Sequence, residues 1–168
     1  LNFELVDIKV CKMVDITGDG PSDDDVVYAE GWTVYLYKNG QLFDTKETLA
    51  CGCYIWENLG PGSYEVREAM PEGWMAISED SEDFGVVESG DVLEFTFLNF
   101  ELVDITVCKM VDKTGNGPTD DDFMYTEGWT VYLYKNGELF DTKETLACGC
   151  YTWENLGPGS YMVEEEMP

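Results

Sequence analysis

Leu98 to Met110 reads LNFELVDITVCKM, and Leu1 to Met13 reads LNFELVDIKVCKM. Position 1 recurs at position 98, an offset of 97 that holds without a gap to Pro168. Such a period fits one small domain per repeat, each with its own core. We therefore divide the chain into 1–100, a first repeat in which residues 1–3 end a preceding copy, and 101–168, a second repeat lacking its last strand. No flexible spacer separates them.

Working outward from that stretch, ELVDIKVCKMV alternates with the period of a strand. Ile8, Val10, Lys12 and Val14 share one face; Lys9, Cys11 and Met13 share the other. Residues 15–31 read as a loop. GWTVYLYKNGQLFDTKET reads as a hairpin about Lys38-Asn39-Gly40, with Trp32, Val34 and Leu36 inward. ACGCYIWENL is a further strand, closed by Gly60-Pro61-Gly62. SYEVRE places Tyr64, Val66 and Glu68 in register, and Val92 to Phe100 places Leu93, Phe95, Phe97 and Asn99 on one face. No segment keeps a 3.6-residue period. Short strands with regular turn signals predict an all-β chain of tandem Ig-like β-sandwich domains.

The two copies test this phase. Over the 71 shared positions 12 differ, and those within the expected strands are Lys9/Thr106, Ile55/Thr152, Glu65/Met162 and Arg67/Glu164. All four fall on outward rows, as expected if the inner rows are committed to a core.

Net charge is −26 with no histidine. Nucleic acids and anionic membrane surfaces need clustered Lys and Arg, so neither is an expected partner. No apolar run is long enough to span a bilayer, so no membrane insertion is expected in this segment. Without imidazole there is no Ser-His-Asp triad, and an enzyme acting on an external substrate is the weakest reading.

Three polar residues nonetheless fall on core-facing rows: Lys12, Glu68 and Asn99. Burying an unpaired ammonium or carboxylate costs several kcal/mol. Either they reach solvent or form a plain ion pair, or Lys12 and Asn99 are joined as an isopeptide with Glu68 as the catalytic acid. Burial lowers a lysine pKa and raises a glutamate pKa. A neutral amine is a nucleophile, a protonated acid can polarise the carboxamide, and the product amide carries no charge.

The pattern IKVCKMVDITGDG, then EGWTVYLYKNG, then CGCYIWENLGPGSYEVREAMPEGW, then FTFLNF resembles the SdrD B-like/Cna B-type repeats of microbial surface proteins and pili. It covers nearly all of the first repeat. The resemblance implies a prealbumin-like sandwich, a stalk or pilus role, an extracellular or cell-surface location, and a Lys–Asn bond with a catalytic acid. Those roles would fall on Lys12, Asn99 and Glu68. In the second repeat Lys109 and Glu165 match, and their Asn would come from continuing chain or a neighbour. Asn2 occupies the matching position in a preceding copy. The chain departs from the family in its six cysteines.

Asp15-x-Thr17-x-Asp19-Gly20, followed by Asp23, resembles the first half of a calcium loop; its repeat is Asp112, Thr114, Asn116 and Asp120. The same loop can equally be a solvated Asp/Gly turn. Three cysteines recur per repeat: Cys11, Cys51 and Cys53, then Cys108, Cys148 and Cys150. If Tyr54 and Trp56 face inward, as the family's aromatic pair does, all three cysteines point outward. The expectation is one disulfide within a repeat and one between repeats or chains. Cys51 and Cys53, two apart on a strand, are the poorest pair.

Two functions fit. The first is a structural subunit of an extracellular filament or stalk, a homopolymer of identical repeats or subunits held by isopeptide bonds and disulfides. The second is an adhesin module binding a host or surface ligand, which would show a long variable loop or an insertion in one copy only; neither is present.

Overall fold

The computed structural model describes residues 2–21, 26–115, 117 and 123–167. Among these every regular element is a strand. Its contacts divide the chain into Leu1–Glu101 and Leu102–Pro168.

In the first unit the strands are β1 (Val6–Asp15), β2 (Val26–Tyr28), β3 (Thr33–Lys38), β4 (Gln41–Glu47), β5 (Cys53–Leu59), β6 (Ser63–Glu68), β7 (Trp74–Ala76), β8 (Ser81–Val86) and β9 (Val92–Glu101). One sheet runs β4-β3-β6-β8. The other is centred on β1, which has antiparallel β5 and β2 along one side and β9 along the other, with β7 beyond β9. β1 and β9 run parallel, with Val10 opposite Phe95, Lys12 opposite Phe97 and Val14 opposite Asn99. The inner rows of the two sheets meet in one core of Ile8, Val10, Val34, Leu36, Tyr64, Val66 and Phe97. This is the sandwich the alternation predicts.

Local chemistry explains the corners. Asn39 and Gly40 both have positive φ, 51° and 77°, the pair a two-residue hairpin turn demands. The Tyr64 hydroxyl donates to the Gly60 carbonyl at 2.7 Å, tying the Gly-Pro-Gly corner to the core. Gly52 (φ +75°) sits so near Tyr28 that an added Cβ would lie 2.7 Å from the tyrosine Cβ. Only glycine satisfies both the backbone angle and the space.

Two short strands were not expected. β2 lies inside what reads as a loop, and β7 inside a Pro/Gly-broken stretch. Each has three residues, too few to display a period, and is defined by its neighbour: β2 on Met13–Asp15, β7 on Asn99–Glu101.

The second unit comprises β10 (Val103–Cys108), β11 (Met110–Asp112), β12 (Phe123–Tyr125), β13 (Thr130–Lys135), β14 (Glu138–Glu144), β15 (Cys150–Leu156) and β16 (Tyr161–Glu165). β14-β13-β16 repeats the first sheet, while β10-β15 and β11-β12 are two-stranded pairs. Its core is Val131, Leu133, Trp153 and Leu156, with Ile105, Val107 and Val163 partly covered.

Candidate functional site

β1, β6 and β9 each deliver one polar side chain to the first unit's interior. The alternation that buries Ile8 and Val10 also buries Lys12, which is 0 % exposed. Tyr64 and Val66 carry Glu68 inward, and Phe97 carries Asn99. Lys12 Nζ donates to Glu68 Oε2 at 2.6 Å. Asn99 Nδ2 donates to the same oxygen at 3.1 Å. Both nitrogens therefore converge on one carboxylate atom.

The surroundings are apolar. Lys12 Nζ lies 4.1 Å from the Trp32 ring centroid, and Asn99 Nδ2 is 3.4 Å from Met70 Sδ. Among the described residues, the buried oxygens Glu68 Oε1 and Asn99 Oδ1 have no hydrogen-bond partner. Burial outweighs the attraction of Glu68 and lowers the Lys12 pKa from 10.5 to about 8. Burial likewise raises the Glu68 pKa, against the opposing pull of Lys12 and Asn99. Both shifts move the pair toward its neutral form. The alternative in which these side chains reach water is excluded for Lys12 and Asn99, both fully enclosed. Trp32 belonged to a row legible as inward; Met70, beyond the end of β6, carried no such signal.

In the second unit Lys109 Nζ and Glu165 Oε2 are 2.5 Å apart. Their side chains retain 18 % and 39 % exposure, where those of Lys12 and Glu68 have none. Asn2 is exposed at the start of the described chain.

The cysteines correct one expectation. Cys11 and Cys53 face each other in the β1/β5 register and form a disulfide; Cys108 and Cys150 do the same. Cys11 and Cys53 lie opposite the core-facing residues, yet both are buried. Cys51 and Cys148 are exposed free thiols, so within the chain they do not belong to the disulfide set.

The acidic loops are each organised around their first aspartate. Asp15 is buried, and its carboxylate accepts from the backbone N–H groups of Thr17 (3.1 Å), Gly18 (2.6 Å) and Gly20 (2.9 Å). Thr17 Oγ1 donates to Asp19 Oδ1 at 2.8 Å. Asp112 accepts likewise from Thr114, Gly115 and Gly117, which lowers its pKa. A carboxylate directed at loop amides organises the turn by itself. Among the described residues no group of three or more acidic, Cys or His side chains is placed to hold a metal. Asp23, Asn116 and Asp120 lie outside the described residues.

No family model matches the chain. Serine-aspartate repeat-containing protein D of Staphylococcus aureus (strain Newman) is 30 % identical over 92 % of this chain and 13 % of its own length. Colossin-A of Dictyostelium discoideum is 28 % identical over 97 % of this chain and 2 % of its length. The chain thus spans a small fraction of the curated relatives it matches. Among solved structures, the Bacillus anthracis TIE protein superposes with a TM-score of 0.50 at 17 % identity, over 98 % of this chain and 29 % of that one. That likeness concerns the fold.

Proposed function

We propose that this chain, a homologue of the serine-aspartate repeat-containing proteins, is a structural segment of a cell-surface stalk or extracellular filament. In this reading its first unit is welded by an amide between Lys12 and Asn99. The supporting observation is the convergence of both nitrogens on Glu68 Oε2 inside an apolar core.

The chemistry follows from the burial. A lysine of pKa about 8 is neutral in about a tenth of molecules at pH 7, against about one in three thousand at 10.5. The neutral Nζ attacks Asn99 Cγ. A protonated Glu68 hydrogen-bonds Asn99 Oδ1, the oxygen now without a partner, once the carboxamide turns about its own axis. One Lys12 proton passes through Glu68 to Nδ2, the Cγ–Nδ2 bond breaks, and ammonia leaves. Glu68 begins and ends protonated. Preorganisation in the folded core supplies the effective concentration that an amide electrophile needs. The reaction is a single self-modification with no external substrate.

The mechanical consequence gives the weld its function. Tension entering through the start of β1 and leaving through the end of β9 would pass through the Lys12–Asn99 amide. The fold between these residues would be shielded from load. Pulling the chain by its ends in a force spectrometer tests this. The first unit of the wild type should give no extension from the segment between Lys12 and Asn99, and Asn99→Ala should release it. Equal extension in both chains would overturn the proposal.

A further inference from the structure

The two ends of the Asn99 carboxamide meet unequal surroundings. Nδ2 faces two acceptors, Glu68 Oε2 at 3.1 Å and Met70 Sδ at 3.4 Å. Among the described residues Oδ1 faces no partner. Lys12 Nζ also donates to Glu68 Oε2, at 2.6 Å. A thioether sulfur carries no hydrogen, so it accepts and never donates. This arrangement suits one orientation of the amide. Turned about its axis, the carboxamide would set Oδ1 against Sδ, acceptor against acceptor.

The amide-forming step asks for that turned orientation, with Oδ1 on a protonated Glu68 and its carbon activated for attack. Glu68 can change role, accepting when ionised and donating when protonated. Met70 cannot. Once Glu68 holds the proton, it draws Oδ1 inward while Met70 still draws Nδ2, so the two neighbours pull the carboxamide in opposite directions.

We infer that Met70 is a positioning residue of the self-joining step, a brake that holds the Asn99 carboxamide in its unreactive orientation. This deepens the reading above; it rests on that reading for the rate of joining but not for the orientation. Met70 lies two residues beyond the end of β6 and is 38 % exposed, whereas Asn99 is fully enclosed. Its sulfur thus touches the buried amide from a side chain that reaches the surface. Peroxide can transfer one oxygen atom to Sδ and leave as water. The sulfoxide oxygen is polar and again only accepts, so oxidation tightens the brake. The ionisable groups acting on Glu68 are Lys12 from β1 and Asp80, just before β8.

The test uses the full chain, isolated in urea so that no bond has formed, and refolded at pH 5. There a lysine of pKa about 8 is neutral in about a thousandth of molecules, and joining waits. Proton NMR at pH 5 should show a nuclear Overhauser contact between the Asn99 Nδ2 protons and the Met70 side chain. Met70→Leu should shift those amide resonances. After a jump to pH 8, intact mass follows the loss of ammonia. Leucine keeps the bulk of methionine and lacks its sulfur, so Met70→Leu should join about two- to tenfold faster, the worth of one modest hydrogen bond. Peroxide should slow joining in the wild type and leave the rate of Met70→Leu unchanged. Equal rates in the wild type and Met70→Leu, or a slower leucine chain, overturn the brake and reduce Met70 to packing. A missing Overhauser contact overturns the orientation. The contact without ammonia loss in either chain supports the orientation and removes the Lys12–Asn99 bond.

Discussion

Asn99→Ala deletes the carboxamide and leaves Lys12 and Glu68 as an unbonded buried pair. Its stability should then depend on pH in a way the welded protein's does not. Burial lowers the Lys12 pKa to about 8 in the folded chain, from 10.5. Between those values the unfolded chain binds more protons than the folded one, so stability climbs with pH. The Lys12 contribution is complete above 10.5, is lost as pH falls through about 8, and is flat below. At 1.36 kcal/mol per unit it amounts to roughly 3 kcal/mol. Glu68 acts in the acid range: its pKa is raised above 4.5, so its contribution is present at low pH and lost as pH rises through the folded value. Tyrosines and a net charge of −26 also affect stability at alkaline pH. The comparison is therefore between Asn99→Ala and Asn99→Ala/Lys12→Met, in which those effects cancel. Urea unfolding followed by tryptophan fluorescence at pH 7 and 10.5 measures it. The lysine chain should gain roughly 3 kcal/mol on the methionine chain across that interval. Parallel stabilities at the two pH values would refute the claim that Lys12 is desolvated.

Other perturbations probe the same core from different sides. Glu68→Ala in the Asn99→Ala background leaves an enclosed ammonium without its acceptor, and should cost about 3–5 kcal/mol by chemical denaturation. Replacing Lys12 and Glu68 together by Met and Leu should be close to neutral, and a loss as large as the single variant's would contradict the pairing. Reducing Cys11–Cys53, which closes a loop with a separation of 42 residues, should remove about 4 kcal/mol in the unwelded chain; alkylation of the unreduced chain should label only Cys51 and Cys148. Asp15→Ala should lower stability by about 1–3 kcal/mol, because buried loop N–H groups lose their acceptor. That loss should be the same in calcium and in a chelator, and a strong calcium dependence would show that the loop binds the ion after all.

The first unit's interior was legible because a strand's period of two is rigid. Once Ile8 and Val10 face inward, Lys12 must follow, and the same phase carries Glu68 behind Val66 and Asn99 behind Phe97. An amine, an acid and an amide on apolar rows stand out against the expected pattern. Pairing across strands is not encoded in that period. Cys11 meets Cys53 because β5 lies beside β1 in one register, a long-range fact that side-chain phase alone does not contain. The aspartate loop reads both as a cation site and as an Asp/Gly turn because alternate oxygen ligands and a tight Gly turn serve either purpose. The backbone N–H groups around Asp15 use its carboxylate for the second.

The account depends on an amide between Lys12 and Asn99, and mass spectrometry of the folded, reduced chain measures it most directly. The wild type should weigh one ammonia less than its sequence, and fragmentation should place the loss in a branched peptide joining those two residues. Glu68→Ala, folded and treated alike, should keep the full sequence mass. A wild-type chain at full mass after prolonged folding, with Lys12 and Asn99 recovered in separate peptides, would contradict the central claim.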